Sequence, residues 1–404
     1  MKIGILTYHK SINNGAVLQC YSLSKRLQQE FPEHIVEVID YHMPKIEEGY
    51  TPSLRQYFRG PNVYIFFRRL LSLIMTPGKL SAEKKRFRAF MSVSGVLPLS
   101  ADSIFEDETG ELFRYINNNY DVVIAGSDAI WNYLSRGFPS PYYLDTSVYC
   151  PKLSYAASCY GMSYEKIPED KKHRIRDILN DYCFLGVRDD ESALFLKHIG
   201  VTQEGIHTCD PTVFLDVNDL PVSEMIIREK LRRKGFDFEK PAIGVMGTER
   251  MCRMVRRMYG GQYQIVGLYN SYKCADVQLY DLTPYEWAFV FRYFKLTFTT
   301  FFHGTLLSLR NGVPVVCIAL ETDYSKNHMT KVEDLLARLE LQDCYFKTDY
   351  RTNNLDVIRK KADSLLLIQP KDEILRKMEQ EAECIRPFLQ ALEDVLAEQK
   401  EIEK

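Results

Sequence analysis

Apolar runs of strand length alternate with amphipathic stretches along most of the chain. Residues 2–7 form an apolar run suited to a buried strand. A polar turn at 11–15 follows, and then Ala16, Val17, Leu18, Tyr21, Leu23 and Leu27 recur at mostly helical spacing, with Asn13 or Asn14 as the cap. The next strand, 35–39, ends at Asp40. Strand, turn, helix and strand within about forty residues predict a parallel crossover. The same rhythm returns at 120–125, 153–157 and 184–187, with helices at 171–179 and 192–199, the last stopped by Gly200. Residues 216–241 are charged and carry no strand pattern, and Pro241 closes them. The rhythm then restarts, with strands at 242–246, 264–268, 295–300 and 313–318 and a helix from His303 through Arg310.

This pattern predicts two Rossmann-like α/β domains facing a cleft. The expected boundaries are 1–238 for the N-terminal domain and 239–370 for the C-terminal domain. The tail, 371–404, carries an apolar stripe of Ile374, Met378, Ile385, Leu389, Leu392 and Leu396, with Pro387 as a kink. It is expected to pack across both domains. Residues 54–90 interrupt the first domain as a basic helical insertion, with nine Lys and Arg against one Glu. Such a face is either solvated or suited to a peripheral contact with an anionic membrane.

At 404 residues with a net charge of −2, the chain gives no global electrostatic case for nucleic-acid binding. Its ten cysteines are scattered without a C-x-x-C pair, as expected in a reducing compartment. No secretory leader or membrane-spanning run is read, so the expected location is cytoplasmic, with the inner membrane face as a peripheral contact. P-loop, dinucleotide, nucleophile-elbow and H-E-x-x-H signatures are all missing. Asp128, Asp189 and Asp190 lack metal-ligand spacing, and no metal or cofactor is expected.

Ligands of open α/β sheets bind at the carboxyl ends of strands. In the first half those positions hold His9, Asn13, Asn14, Gly15, Gly126, Ser127, Asp128, Asn132, Ser158, Arg188 and Asp210. In the second half they hold Gly247, Thr248, His303, Gly304 and Thr305. The stretch from Phe298 to Arg310 is the most informative: a strand runs into His-Gly-Thr and then a helix, whose free N–H groups favour an anion. His303 stands where it could give or take a proton.

These pieces, in this order, resemble the polysaccharide pyruvyl transferase family. They are Ile3–Tyr8 with Asn14–Gln19; Asp121–Asp128 with Trp131 and Asn132; Ser154–Ser158; Val187-Arg188-Asp189; Asp210-Pro211-Thr212; and Phe302–Thr305. The resemblance spans roughly residues 1–340. It implies a fold like the two-domain glycosyltransferase-B enzymes and transfer of a pyruvyl group from phosphoenolpyruvate to a sugar, as a ketal. The acceptor would be a cell-surface polysaccharide or its precursor, lipid-linked or free. The resemblance puts Arg188 and His303 in the catalytic machinery. Arg188, Lys326, Gly304 and Thr305 would bind the donor, with Lys331 competing with Lys326 for the lysine role. Asn14, Gly15, Ser127, Asp128, Asn132 and Asp210 would line the acceptor side. Two other readings stay open: a glycosyltransferase with a nucleotide-sugar donor, and a glycan- or anion-binding protein without turnover.

Overall fold

The structure is a computed structural model that describes residues 1–10, 12–47, 79–92, 96–105, 110–161, 164–319, 329–348 and 355–402. Two parallel sheets form, and their central strands are buried on both faces, which is why those strands read as continuous apolar runs. The first sheet contains β1 (Lys2–Leu6), β2 (Ile35–His42), β3 (Leu99–Phe105), β4 (Val122–Ala125), β5 (Lys152–Ala157), β6 (Phe184–Val187) and β7 (Ile206–His207). Its spatial order is β3-β2-β1-β4-β5-β6-β7. The second sheet contains β8 (Ala242–Met246), β9 (Gln264–Leu268), β10 (Val277–Leu279), β11 (Phe294–Thr299), β12 (Val315–Ala319) and β13 (Tyr345–Lys347). Its order is β10-β9-β8-β11-β12-β13.

Both orders reverse direction after the first strand, so each sheet has a switch point: β1 beside β4, and β8 beside β11. Loops leaving a switch point diverge and open a crevice at the carboxyl ends. The loop after β4 is held from the other side of that point: the Gly126 N–H donates to the Leu6 carbonyl at 3.1 Å, and Thr7 Oγ1 donates to the Ser127 carbonyl at 3.0 Å. Below it lies an aromatic core. Trp131 and Tyr143 stack at 6.3 Å, Tyr143 donates its hydroxyl to the Trp131 carbonyl at 2.7 Å, and Tyr182 donates to the Tyr143 carbonyl at 2.9 Å.

The chain divides into one unit of Met1–Glu48, Gly95–Leu215 and Gln380–Lys404, and a second of Gly49–Ser94 and Asp216–Glu379. This moves the expected boundary from 238 to 216. The physical reason lies in the charged segment: helix Glu224–Arg233 buries Ile227 and Leu231. Lys230 pairs with Glu286 at 2.7 Å, and Arg292 donates to the Val217 carbonyl at 2.7 Å. All of these partners belong to the second unit. The basic segment also goes with that unit rather than the first; residues 54–78 of it lie outside the described residues. In helix Lys79–Met91, the Arg86 guanidinium lies 4.6 Å above the Tyr269 ring instead of facing outward. The tail divides too, at residue 379 within helix Lys371–Ala382. Helix Lys371–Ala382 passes through a 3₁₀ turn, Glu383–Ile385, into helix Arg386–Ile402, and Pro387 sits in the first turn of the latter, where its missing N–H costs nothing. Among the described residues no helix is long and apolar enough to cross a membrane.

Gly126 has φ +126°, and a Cβ there would lie 2.0 Å from the Tyr155 carbonyl oxygen. Backbone cannot yield as a flexible side chain does. Gly126→Ala is therefore expected to cost about 2 kcal/mol or more in urea unfolding. A cost within error of zero would contradict this packing.

Candidate active site

In the first unit, the residues expected to bind substrate mostly bind each other. Arg188 follows β6 and is 3% exposed. Its Nη1 donates to Asp210 Oδ2 at 3.1 Å, and its Nη2 lies 3.7 Å from Asp128 Oδ1. Burial works against the charged guanidinium, but Asp128, Asp210 and Asp189 outweigh it and raise the Arg188 pKa. The expected free clamp for a donor is thus a buried cation already shared between carboxylates. Asp210 is equally committed. Its Oδ1 accepts from the Thr212 N–H at 3.0 Å and the Thr212 hydroxyl at 2.6 Å. Its Oδ2 accepts from Gln19 as well as Arg188. Asp210 is a junction between helix Asn14–Glu30, the 3₁₀ turn Pro211–Phe214 and the end of β6.

Asn13, not Asn14, caps the first helix, accepting from the Gly15 N–H at 3.0 Å. Asn14 and Gly15 are buried in its first turn. Asn132 donates to the Tyr160 carbonyl at 2.7 Å. Ser158 donates to Asp189 at 2.6 Å, and Asp189 caps helix Asp190–Ile199. Asp128 differs from these. Its side chain keeps 19% exposure, and its backbone adopts φ +90°, a region where strain concentrates at functional positions. Next to it, the buried Ser127 hydroxyl has no partner among the described residues. A buried polar atom left so costs about 1–3 kcal/mol unless something pairs with it.

In the second unit, helix Phe302–Arg310 starts right after β11. Phe301, at its N-cap, cannot cap it with a side chain. The Thr305 N–H closes the first turn onto the Phe301 carbonyl at 3.0 Å. The N–H groups of Phe302, His303 and Gly304 therefore precede the helix ladder. Gly304 packs so closely that a Cβ would meet Thr299 Oγ1 at 2.4 Å. The Thr305 hydroxyl is buried and donates to the Phe301 carbonyl at 3.1 Å. Lys326 lies outside the described residues. Lys331 is the first residue of helix Lys331–Arg338, which Thr330 caps.

The same unit holds a cavity of roughly 310 Å³ that sequence reasoning missed. Arg86, Tyr269, Asn270, Tyr272 and Tyr280 line it, together with Gly247 and the carboxylates Glu83 and Glu249. The Gly247 N–H donates to the Tyr272 hydroxyl at 2.8 Å. Tyr269 also packs against Phe301 at 5.9 Å, so a cavity wall touches the residue that precedes the His303 helix. Gly247 was the one visible signal; Arg86 sits far away in sequence, in a segment that reads only as basic. Burial pushes the Cys159 and Cys209 thiols up, and Cys317 up to about 12.

The model of the polysaccharide pyruvyl transferase family matches residues 13–322. No curated protein matches the chain significantly. Among solved structures, the UDP-GlcNAc 2-epimerase from Neisseria meningitidis bound to UDP-GlcNAc is similar at TM-score 0.51 and 9% identity, covering 98% of this chain and 100% of that one. The UDP-GlcNAc 2-epimerase from Methanocaldococcus jannaschii is similar at TM-score 0.51 and 10% identity, covering 96% and 99%. At that identity the likeness is one of fold: two α/β domains in the glycosyltransferase-B manner.

Asp210→Asn would leave the Arg188 guanidinium undercompensated in a buried site, at an expected cost of about 3–5 kcal/mol in urea unfolding. Asp170→Asn, at an exposed ion pair, should stay within about 0.5 kcal/mol. Equal effects of the two would contradict the junction.

Proposed function

The chain belongs to the polysaccharide pyruvyl transferase family and is a transferase, and from that premise we propose that it uses phosphoenolpyruvate to place a pyruvyl ketal on a sugar. The sugar belongs to a cell-surface polysaccharide or its precursor, and the reaction takes place in the cytoplasm. The observation that carries this reading is the start of helix Phe302–Arg310. Phosphoenolpyruvate brings a phosphate and a carboxylate, and helix N-termini with leading N–H groups favour such anions. Arg86, in the cavity beside Phe301, supplies a cation for the second anionic group.

The chemistry balances as follows. A proton adds to the methylene carbon of phosphoenolpyruvate and leaves a cation at the adjacent carbon. A sugar hydroxyl attacks that carbon and loses its proton. The carbon–oxygen bond to phosphate breaks, phosphate departs, and the second hydroxyl closes the ring with loss of its own proton. Of the two protons released, one makes up for that taken by the methylene and the other leaves with phosphate. His303, in the first helical turn, is the proposed acid–base group. Asp128 and Ser127, at the first sheet's switch point, are proposed to bind sugar hydroxyls. Arg188 is a positioning residue whose guanidinium, 3.7 Å from Asp128 Oδ1, fixes that carboxylate. The scheme asks for no metal or cofactor.

Phosphate release from phosphoenolpyruvate with a pool of glycan acceptors tests the reading. Release should depend on acceptor, and His303→Ala should lower kcat by roughly 10²–10⁴-fold. Arg86→Ala should raise KM for phosphoenolpyruvate more than it lowers kcat. Absence of both turnover and calorimetric phosphoenolpyruvate binding would overturn the proposal, and consumption of a nucleotide sugar would replace it with glycosyl transfer.

A further inference from the structure

Two imidazoles in the first unit converge on one buried carboxylate oxygen. His9 follows β1; Asp40 and His42 close β2. His9 Nε2 lies 2.8 Å from Asp40 Oδ1, and His42 Nε2 lies 3.1 Å from the same atom. The other carboxylate oxygen, Oδ2, accepts from Ser103 Oγ at 2.5 Å. Each ring also has an acceptor at its second nitrogen. His9 Nδ1 is 3.3 Å from the Thr7 carbonyl oxygen, and His42 Nδ1 is 3.0 Å from Glu47 Oε2. The His42 ring is fixed further by stacking on Phe105 at 4.3 Å.

Three potential ligand atoms thus converge at one buried point: Nε2 of His9, Nε2 of His42 and Asp40 Oδ1, with the His9 side chain 1% exposed. A neutral imidazole that carries its proton on Nδ1 offers its Nε2 lone pair to a cation, and the carboxylate supplies the negative charge. Lys10 Nζ lies 3.4 Å from the shared oxygen, and its side chain, 24% exposed, can swing outward to make room for an ion.

The donor spacing also fits an ion. Neighbouring ligands at about 2.1 Å from a shared metal lie roughly 3 Å apart at right angles. The Thr7 carbonyl and Glu47 stand where the outer partners of metal-bound imidazoles stand, fixing tautomer and ring orientation. We propose that His9, Asp40 and His42 bind a divalent first-row transition ion such as Zn²⁺, joining the ends of β1 and β2 ahead of the first helix. Two nitrogen donors with one oxygen favour such an ion over Mg²⁺.

The test is calorimetric titration of the untagged full chain with Zn²⁺ or Mg²⁺ at neutral pH. It is run in a His207→Ala background, because His207, Glu381 and Cys384 form a second grouping that could hold a metal. One equivalent of Zn²⁺ should bind, with no uptake of Mg²⁺, and Zn²⁺ should raise the melting temperature by several degrees. His42→Ala, at a partly exposed ring, should weaken Zn²⁺ at least tenfold while circular dichroism stays unchanged. Asp40→Asn should do the same. No Zn²⁺ uptake by the folded chain, or uptake indifferent to both substitutions, would overturn the site. Neither result bears on pyruvyl transfer.

Discussion

A guanidinium taken out of water must be met by carboxylates, and the first unit is arranged around that requirement. Arg188 draws Asp210 from the turn after β7 and Asp128 from the loop after β4. Asp210 in turn holds Gln19 of the first helix. Three connections that would otherwise be independent loops are thus bound to one charge. Desolvation opposes the arrangement and the carboxylates outweigh it, so the guanidinium stays charged. The switch point beside β4 gains a rigid rim that includes Asp128.

Most of this architecture was legible in the chain. The central strands are continuous apolar runs because helices cover both of their faces, and the His-Gly-Thr stretch marked the helix start after β11. The edge strands escaped for a physical reason. β3, Leu99–Phe105, exposes four of its seven positions and lacks the apolar run, and β7 has two residues. The domain boundary was misplaced because helix Glu224–Arg233 reads as charged, although Ile227 and Leu231 alone settle which core it joins.

The candidate residues were legible as types but not as pairs. Arg188 and Asp210 are 22 positions apart, and Asp128 is farther still; only the parallel crossovers bring them together. Sequence reasoning therefore took Arg188 for a free clamp. It passed over Arg86 and the tyrosine-lined cavity for the same reason, since β8, β9 and helix Lys79–Met91 meet only in the folded second unit. His9 was noticed as a polar residue past a strand, but its partners, Asp40 and His42, lie on the next strand and come into range through sheet pairing.

Family membership makes the chain a transferase, and the proposed reading puts the donor's anionic groups at the start of helix Phe302–Arg310. What the account claims at its centre is the fate of the donor's carbon. Phosphoenolpyruvate labelled with ¹³C at the phosphate-bearing carbon, incubated with enzyme and acceptor glycan, follows that atom directly by NMR. The account predicts that the label appears as a quaternary ketal carbon on the glycan, with unlabelled phosphate set free. Label confined to phosphoenolpyruvate or pyruvate, with phosphorus on the glycan, would contradict it.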